Sequence, residues 1–230
     1  MTVEPEVFGD AAQVAEAAAE RIAAVVKANG HIALAGGSSP KRAYGLLRAR
    51  GLDFGGATLW YSDDRAVGPD DERSNHRMVA EALLDGLPEE LAPRAVHRIE
   101  GERGAEAAAE HYEALIRAEL GDAPVFDLVL LGLGPDAHCA SLFPGKPAIE
   151  VRDHLIAAVP EAGMEPYVPR VTFTLPLIND AREVLFMVSG ADKAEAVARA
   201  FGDPADPVSP AAHVRPARVL LDEAAAAGLR

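Results

Sequence analysis

A single α/β domain, built on a mostly parallel sheet with helices on both faces, is predicted for this 230-residue chain by three observations. Short branched apolar runs alternate with amphipathic helical patterns along the whole length, the signature of strands joined by covering helices. No repeat at a fixed period, low-complexity linker or break in composition divides the chain, so one domain over residues 1–230 is expected. Apolar residues make up 49% and charged residues 25%, the balance of a globular chain with a sizeable core rather than a disordered one.

The elements follow in order. Residues 11–28 are alanine-rich with charges on one side and read as an amphipathic helix. HIALA, residues 31–35, is a short buried strand ended by Gly36-Gly37. Ser38-Ser39-Pro40 then opens a helix to about Arg48, with a hydroxyl cap before a proline. ATLWYS, residues 57–62, reads as a strand; a polar loop over 63–74 and a helix over 75–84 come next. After a turn at Pro88–Pro93, residues 95–99 suit a short strand and 102–120 a long helix. FDLVLLG, residues 126–132, is the clearest buried strand. Residues 155–159 and 183–188 are further strands, and 191–201 a helix. A loop with four prolines from Pro204 to Pro216, a last strand at 218–221 and a short alanine-rich helix close the chain.

Charge and cysteine usage narrow the partners. With 22 basic and 36 acidic residues the net charge is −14, which repels nucleic acid and anionic membrane surfaces. Any anionic ligand must therefore meet a local basic pocket. No apolar run approaches the roughly 18 residues that span a bilayer. MTVEPEVFGD carries acids and a proline where a secretory signal would carry basic residues and an apolar block. The single cysteine, Cys139, excludes a disulfide scaffold and agrees with a reducing compartment, so a cytoplasmic location is expected. A monomer or weak homodimer is the expected state. The seven histidines show neither HExxH nor short His-x-His spacing, and no metal site is expected.

Ligands of open α/β sheets bind beyond the carboxyl ends of the strands, and four segments fall there. In GGSSP, the residues Gly37, Ser38 and Ser39 offer free N–H groups and hydroxyls at a helix start, which suits a phosphate or else simply caps a turn. In SDDR, the acid Asp63 and its neighbour Asp64 beside Arg65 suit sugar hydroxyls and a phosphate, or form a solvated charged loop. In GLGPDAHCAS, a buried strand delivers Asp136 and His138 into a loop, and an imidazole exchanges protons near neutral pH. The spacing of its glycines does not make a dinucleotide fingerprint. Lys193, just inside the helix after EVLFMVSG, opposes the helix dipole unless an anion lies between them.

Taken together, GGSSP, SDDR with SNHRMVAEALL, GLGPDAHCASLFPG, PRVTFTLPLIN and SGADKAEAV resemble the 6-phosphogluconolactonase family, in order from about Ala33 to Val197. The resemblance implies hydrolysis of 6-phosphoglucono-1,5-lactone, a step of the oxidative pentose phosphate pathway, and a fold shared with glucosamine-6-phosphate deaminase. It implies that Gly37, Ser38 and Ser39 belong to a phosphate loop and that Arg65 and Lys193 contact the phosphate. His138 would be the general base with Asp136 beside it, Arg170 would line the pocket, and no cofactor would be needed. The chain departs from the family pattern at Ala137-His138-Cys139, where Gly-His-Thr is usual, and at Asp64, where Glu is common.

Two alternatives stand beside this reading. An aminosugar-phosphate deaminase of the same fold would carry Asn-Glu-Pro downstream, where this chain has Ser141-Leu142-Phe143-Pro144. A sugar-phosphate-sensing domain of a regulator would need a basic helix-turn-helix, and the residues before the first strand are alanine-rich and acidic.

Overall fold

The computed structural model describes residues 5–215 and 217–229, so Pro216 of the proline-rich loop lies outside it. The strands are β1 (Glu6–Phe8), β2 (His31–Leu34), β3 (Thr58–Tyr61), β4 (Asp63–Arg65), β5 (Ala95–Val96), β6 (Leu128–Leu131), β7 (Ile156–Val159), β8 (Arg170–Phe173), β9 (Val184–Val188) and β10 (Arg218–Asp222). The helices are α1 (Ala11–Lys27), α2 (Ser38–Ala49), α3 (Asn75–Val79), α4 (Ala105–Leu120), α5 (Leu175–Asn179), α6 (Ala194–Phe201) and α7 (Glu223–Ala226).

Seven strands form a parallel sheet in the order β1-β10-β9-β6-β2-β3-β5. The chain builds outward from β2 to β3 and β5 on one side and from β6 to β9 and β10 on the other, where the N-terminal β1 forms the edge. The order therefore reverses between β2 and β6, and a crevice opens beyond the carboxyl ends of these two strands. The central strands are buried on both faces, which is why they read as continuous apolar runs. Successive side chains of β3 point to opposite faces. Trp60 packs on Tyr112 of α4, with centroids 5.9 Å apart, while Tyr61 packs on His76 of α3 at 5.5 Å. Helices thus cover both faces, as the sequence predicts.

Local chemistry sets the helix ends. The Asp10 carboxylate accepts from the N–H groups of Ala12 and Gln13 and starts α1. Ala28 follows its last residue, with its N–H closing onto Ala24 and Val25. The α1 face carrying Val14, Ala18, Ile22 and Val26 is buried, and small alanines allow close approach to α2 and the sheet.

Several elements differ from the sequence reading. The polar loop expected over 63–74 begins as a strand: β4 pairs antiparallel with β8, and β8 with β7, in a separate three-stranded sheet. This sheet packs on α4 and continues the aromatic core through Phe173, which meets Phe126 at 5.0 Å. In its register Arg65 lies directly opposite Arg170. The caps at α2 are also reassigned. Gly37 is the N-cap, with no side-chain cap bond, and Ser38, Ser39 and Pro40 occupy the first turn. Proline is tolerated there because first-turn N–H groups lack helical acceptors. The helix over 75–84 is α only to Val79, and Ala80–Leu84 widen into a π turn. Strands β1 and β8 and helix α5 add to the elements that the sequence predicts.

Candidate active site

Beyond β2, the backbone of Ala35 is held by the Tyr44 hydroxyl, and the next two residues need glycine for different reasons. A Cβ on Gly36 would collide with the Asn75 side chain, and Gly37 sits at φ +109°, a conformation closed to ordinary L-residues. The turn delivers Ser38 and Ser39 to the start of the 12-residue helix α2, where first-turn N–H groups have no helical acceptor.

Beyond β3, the two acids of SDDR divide their work. Asp64 is buried; its carboxylate accepts from the N–H groups of Arg65 (2.7 Å), Asn75 (2.6 Å) and His76 (3.0 Å) and from Ser74 Oγ (3.2 Å). It starts α3 and does not face a ligand. Burial pushes its pKa up to about 6 against the pull of these donors. Asp63 lines the cleft, but Ser141 Oγ donates to its Oδ2 at 2.6 Å and Asn75 Nδ2 to its Oδ1 at 3.3 Å. Asp63 thereby braces the loop after β6 against β4. Arg65 donates through Nη1 to the Arg73 carbonyl at 2.5 Å, and its buried Nε finds no protein partner among the described residues.

Beyond β6, the loop Gly132–Ser141 carries the acid–imidazole pair. His138 Nδ1 lies 2.5 Å from Asp136 Oδ1, which also accepts the His138 N–H at 3.2 Å. Burial opposes ionisation of Asp136, but His138's hydrogen bond and charge outweigh it and hold the carboxyl below its ordinary range. An ionised carboxylate only accepts, so Nδ1 carries a hydrogen towards Asp136, and in the neutral ring the lone pair is then the one on Nε2. The ring rests over Gly134, where any Cβ would strike it, and against Phe143 at 4.6 Å. Phe143 also meets the Arg170 guanidinium at 5.8 Å. Cys139 is fully buried, and burial raises its thiol pKa well above the ordinary value, which removes it as a nucleophile.

Arg170, at the start of β8, donates through Nε and Nη2 to the carbonyls of Val168, Met164 and Pro166. Burial and the nearby Arg65 both lower its pKa. Beyond β9, the Asp222 carboxylate accepts from the Gly190 N–H at 3.0 Å and so fixes the turn that presents Lys193.

These elements enclose a cleft of about 290 Å³ at the point where strand order reverses. Of the residues selected from the sequence, Gly37, Ser38, Ser39, Asp63, Arg65, His138, Arg170 and Lys193 all line it. Asp136 does not; it stands behind His138. The lining also includes Asn75, Met164, Glu165 and Ser189, which sequence reasoning did not select. Asn75 lies within SNHRMVAEALL, whereas Met164 and Glu165 sit in a stretch with no chemical pattern. Among the described residues no cluster of His, Cys, Asp or Glu could hold a metal ion, and no helix is long and apolar enough to cross a membrane.

Comparison with known proteins agrees with this architecture. Residues 9–222 match the family model described as glucosamine-6-phosphate isomerases/6-phosphogluconolactonase. The chain is 39% identical over 211 residues to 6-phosphogluconolactonase of Synechocystis, covering 89% of this chain and 86% of the relative. It superposes on the structure of 6-phosphogluconolactonase from Trypanosoma cruzi with a TM-score of 0.86 at 30% identity, covering 100% and 98% of the two chains. A monomeric glucosamine-6-phosphate deaminase, at 23% identity, a TM-score of 0.78 and coverage of 99% and 100%, shares the fold. The chain belongs to the glucosamine-6-phosphate isomerase/6-phosphogluconolactonase family.

Proposed function

We propose that this chain hydrolyses 6-phospho-D-glucono-1,5-lactone to 6-phospho-D-gluconate, with His138 as the general base. The observation that carries the reading is the Asp136–His138 pair, whose ring lines a cleft that also holds Arg65, Arg170 and Lys193. A lactone is an activated ester, so no covalent enzyme intermediate is required. His138 Nε2 takes a proton from water as the water oxygen bonds to C1. The negative charge formed on the carbonyl oxygen is met by loop N–H groups or by Arg170 Nη1, which has no protein partner among the described residues. As the tetrahedral intermediate collapses, the C1–O5 bond breaks and the imidazolium returns its proton to O5. Asp136 holds the ring in one tautomer throughout. General-base help of this kind contributes about 10²- to 10⁴-fold, roughly 3–5 kcal/mol.

Arg65, Lys193 and the Gly37-Ser38-Ser39 turn grip the phosphate, far from C1, and so orient the ring. Asp63 contributes a lining oxygen to the sugar while bracing the His138 loop. The reaction draws on no metal or organic cofactor. The chain works as one domain in the cytoplasm, as a monomer or weak homodimer.

The test is hydrolysis of freshly made lactone in chelator-containing buffer, with spontaneous opening subtracted. Fast turnover is expected, and His138→Gln should lose most of kcat with little change in KM. Arg65→Ala should raise KM for the phosphorylated lactone and spare an unphosphorylated one. No acceleration over background would remove the assignment; a fully active His138→Gln would remove the base.

A further inference from the structure

The proline-rich segment after α6 has no role in the reaction as described, yet it reaches the catalytic loop. Ala137, the residue before His138, is fully buried and held at φ +65°. That left-handed conformation disfavours an L-residue by a factor on the order of ten in population, and it persists only where the surroundings impose it. The turn itself contributes, with the Ala137 N–H on the Gly134 carbonyl at 3.0 Å and the Gly134 N–H on the His138 carbonyl at 2.9 Å, and the Ala137 carbonyl is clamped from outside the loop. Ser209 Oγ donates to it at 3.1 Å, and the Ala211 N–H approaches it at 3.4 Å.

Ser209 is itself fully buried and firmly mounted. Its N–H bonds the Asp206 carbonyl at 3.0 Å, and the Asp206 N–H bonds the Arg199 carbonyl of α6 at 2.7 Å. Arg199 Nε returns a bond to Asp206 Oδ2 at 3.1 Å. On the far side, Asn179 Nδ2 of α5 donates to the His213 carbonyl at 3.1 Å. The segment is a post fixed to two helices, and its hydroxyl fixes the peptide that enters His138.

We propose that Ser209 is a positioning residue for the proposed reaction: it holds Ala137 in the left-handed conformation and thereby seats the His138 ring on Asp136. This rests on the reading of His138 as the base. With Ser209→Ala, the loop relaxes toward ordinary backbone angles and the Nδ1–Asp136 contact is lost in part of the population. We expect kcat to fall about 5- to 20-fold while KM stays within about twofold. Glycine adopts positive φ about as readily as negative, so adding Ala137→Gly should bring kcat back to within about threefold of wild type. A loss of packing alone would not be restored by removing a second buried methyl.

The experiment compares wild type, Ser209→Ala and the double variant in lactone hydrolysis. In parallel, the ring nitrogens of His138 are observed by NMR in histidine-labelled protein, with His138→Gln assigning the signal. The expected result is a His138 signal that shifts in Ser209→Ala and returns in the double variant, together with the kinetic loss and rescue. An unchanged kcat and signal in Ser209→Ala would overturn the proposal, as would a loss that Ala137→Gly does not restore. If His138→Gln remains active, the base assignment fails separately; the NMR signal still decides whether Ser209 seats the ring.

Discussion

The Tyr44 hydroxyl donates to the carbonyl of Ala35 at 2.9 Å and accepts from its N–H at 3.0 Å. One side chain of α2 thus satisfies both backbone groups of the residue before the glycine turn. Tyr44→Phe leaves those buried groups without a partner, at a cost of about 1–3 kcal/mol. Because Gly36 and Gly37 follow directly, we expect a lower melting temperature and a several-fold higher KM, with kcat less affected. A kcat loss at unchanged KM would argue that this turn does not serve phosphate binding.

Gly134 makes room for the imidazole, and a Cβ there would occupy its place. Gly134→Ala should therefore displace His138 from Asp136 and reduce kcat by about 10²-fold or more, the lower range of general-base help. Circular dichroism should show a folded protein. Near-normal turnover would mean that the observed ring position is not the catalytic one.

At Ala137, three effects of replacement by glycine oppose one another. Strain relief favours the variant by about 1–2 kcal/mol; a lost buried methyl costs about 0.8 kcal/mol; and the freer unfolded chain costs about 0.4–1 kcal/mol. Ala137→Gly should thus lie within about 1 kcal/mol of wild type in denaturant unfolding. Ala137→Val adds a branched side chain to a buried left-handed position and should lose more than about 2 kcal/mol. A harmless valine would contradict the observed backbone angle.

His31 accepts a hydrogen bond from the indole N–H of Trp60, the single tryptophan, at 3.2 Å. Burial, reinforced by the Arg94 charge, lowers its pKa. The unfolded chain therefore protonates His31 near pH 6.5 while the folded chain resists, and stability from this group falls as pH drops through that value and below. His31→Asn, which keeps an acceptor and does not titrate, should have a shallower loss of melting temperature between pH 7.5 and 5.5. Trp60 fluorescence should report the same difference; parallel acid limbs in the two proteins would refute it.

The parts legible in the sequence are those whose signals are local. HIALA, FDLVLLG and EVLFMV declare buried strands by composition, and GGSSP, GPDAH and SGADK sit at their ends because strand termini are marked by glycine. Of the small sheet, β7 was legible as the strand over 155–159, but β4 was not, because two of its three residues are acids, which are poor in strand propensity. It exists through pairing with residues more than a hundred positions away, at Val171 and Thr172. Asp64 and Asp63 look alike in sequence; only folding gives one to a helix start and leaves the other in the cleft. Ser209 had no motif at all, since its role depends on a carbonyl 72 positions earlier. Gly134, read as part of a weak glycine pattern, is required for a ring four residues on.

Arg65 and Arg170 face each other across β4 and β8, and like charges set opposite one another on a sheet repel. A doubly charged anion held at Arg65 would offset that repulsion, so ligand and fold would be thermodynamically linked. The melting temperature then acts as a gauge of occupancy, with a gain of about 2.7 kcal/mol at a ligand concentration one hundred times Kd. Inorganic phosphate and 6-phosphogluconate should both raise it, and neutral gluconolactone should not. In a cell, the protein's lifetime would follow the supply of its own sugar phosphates.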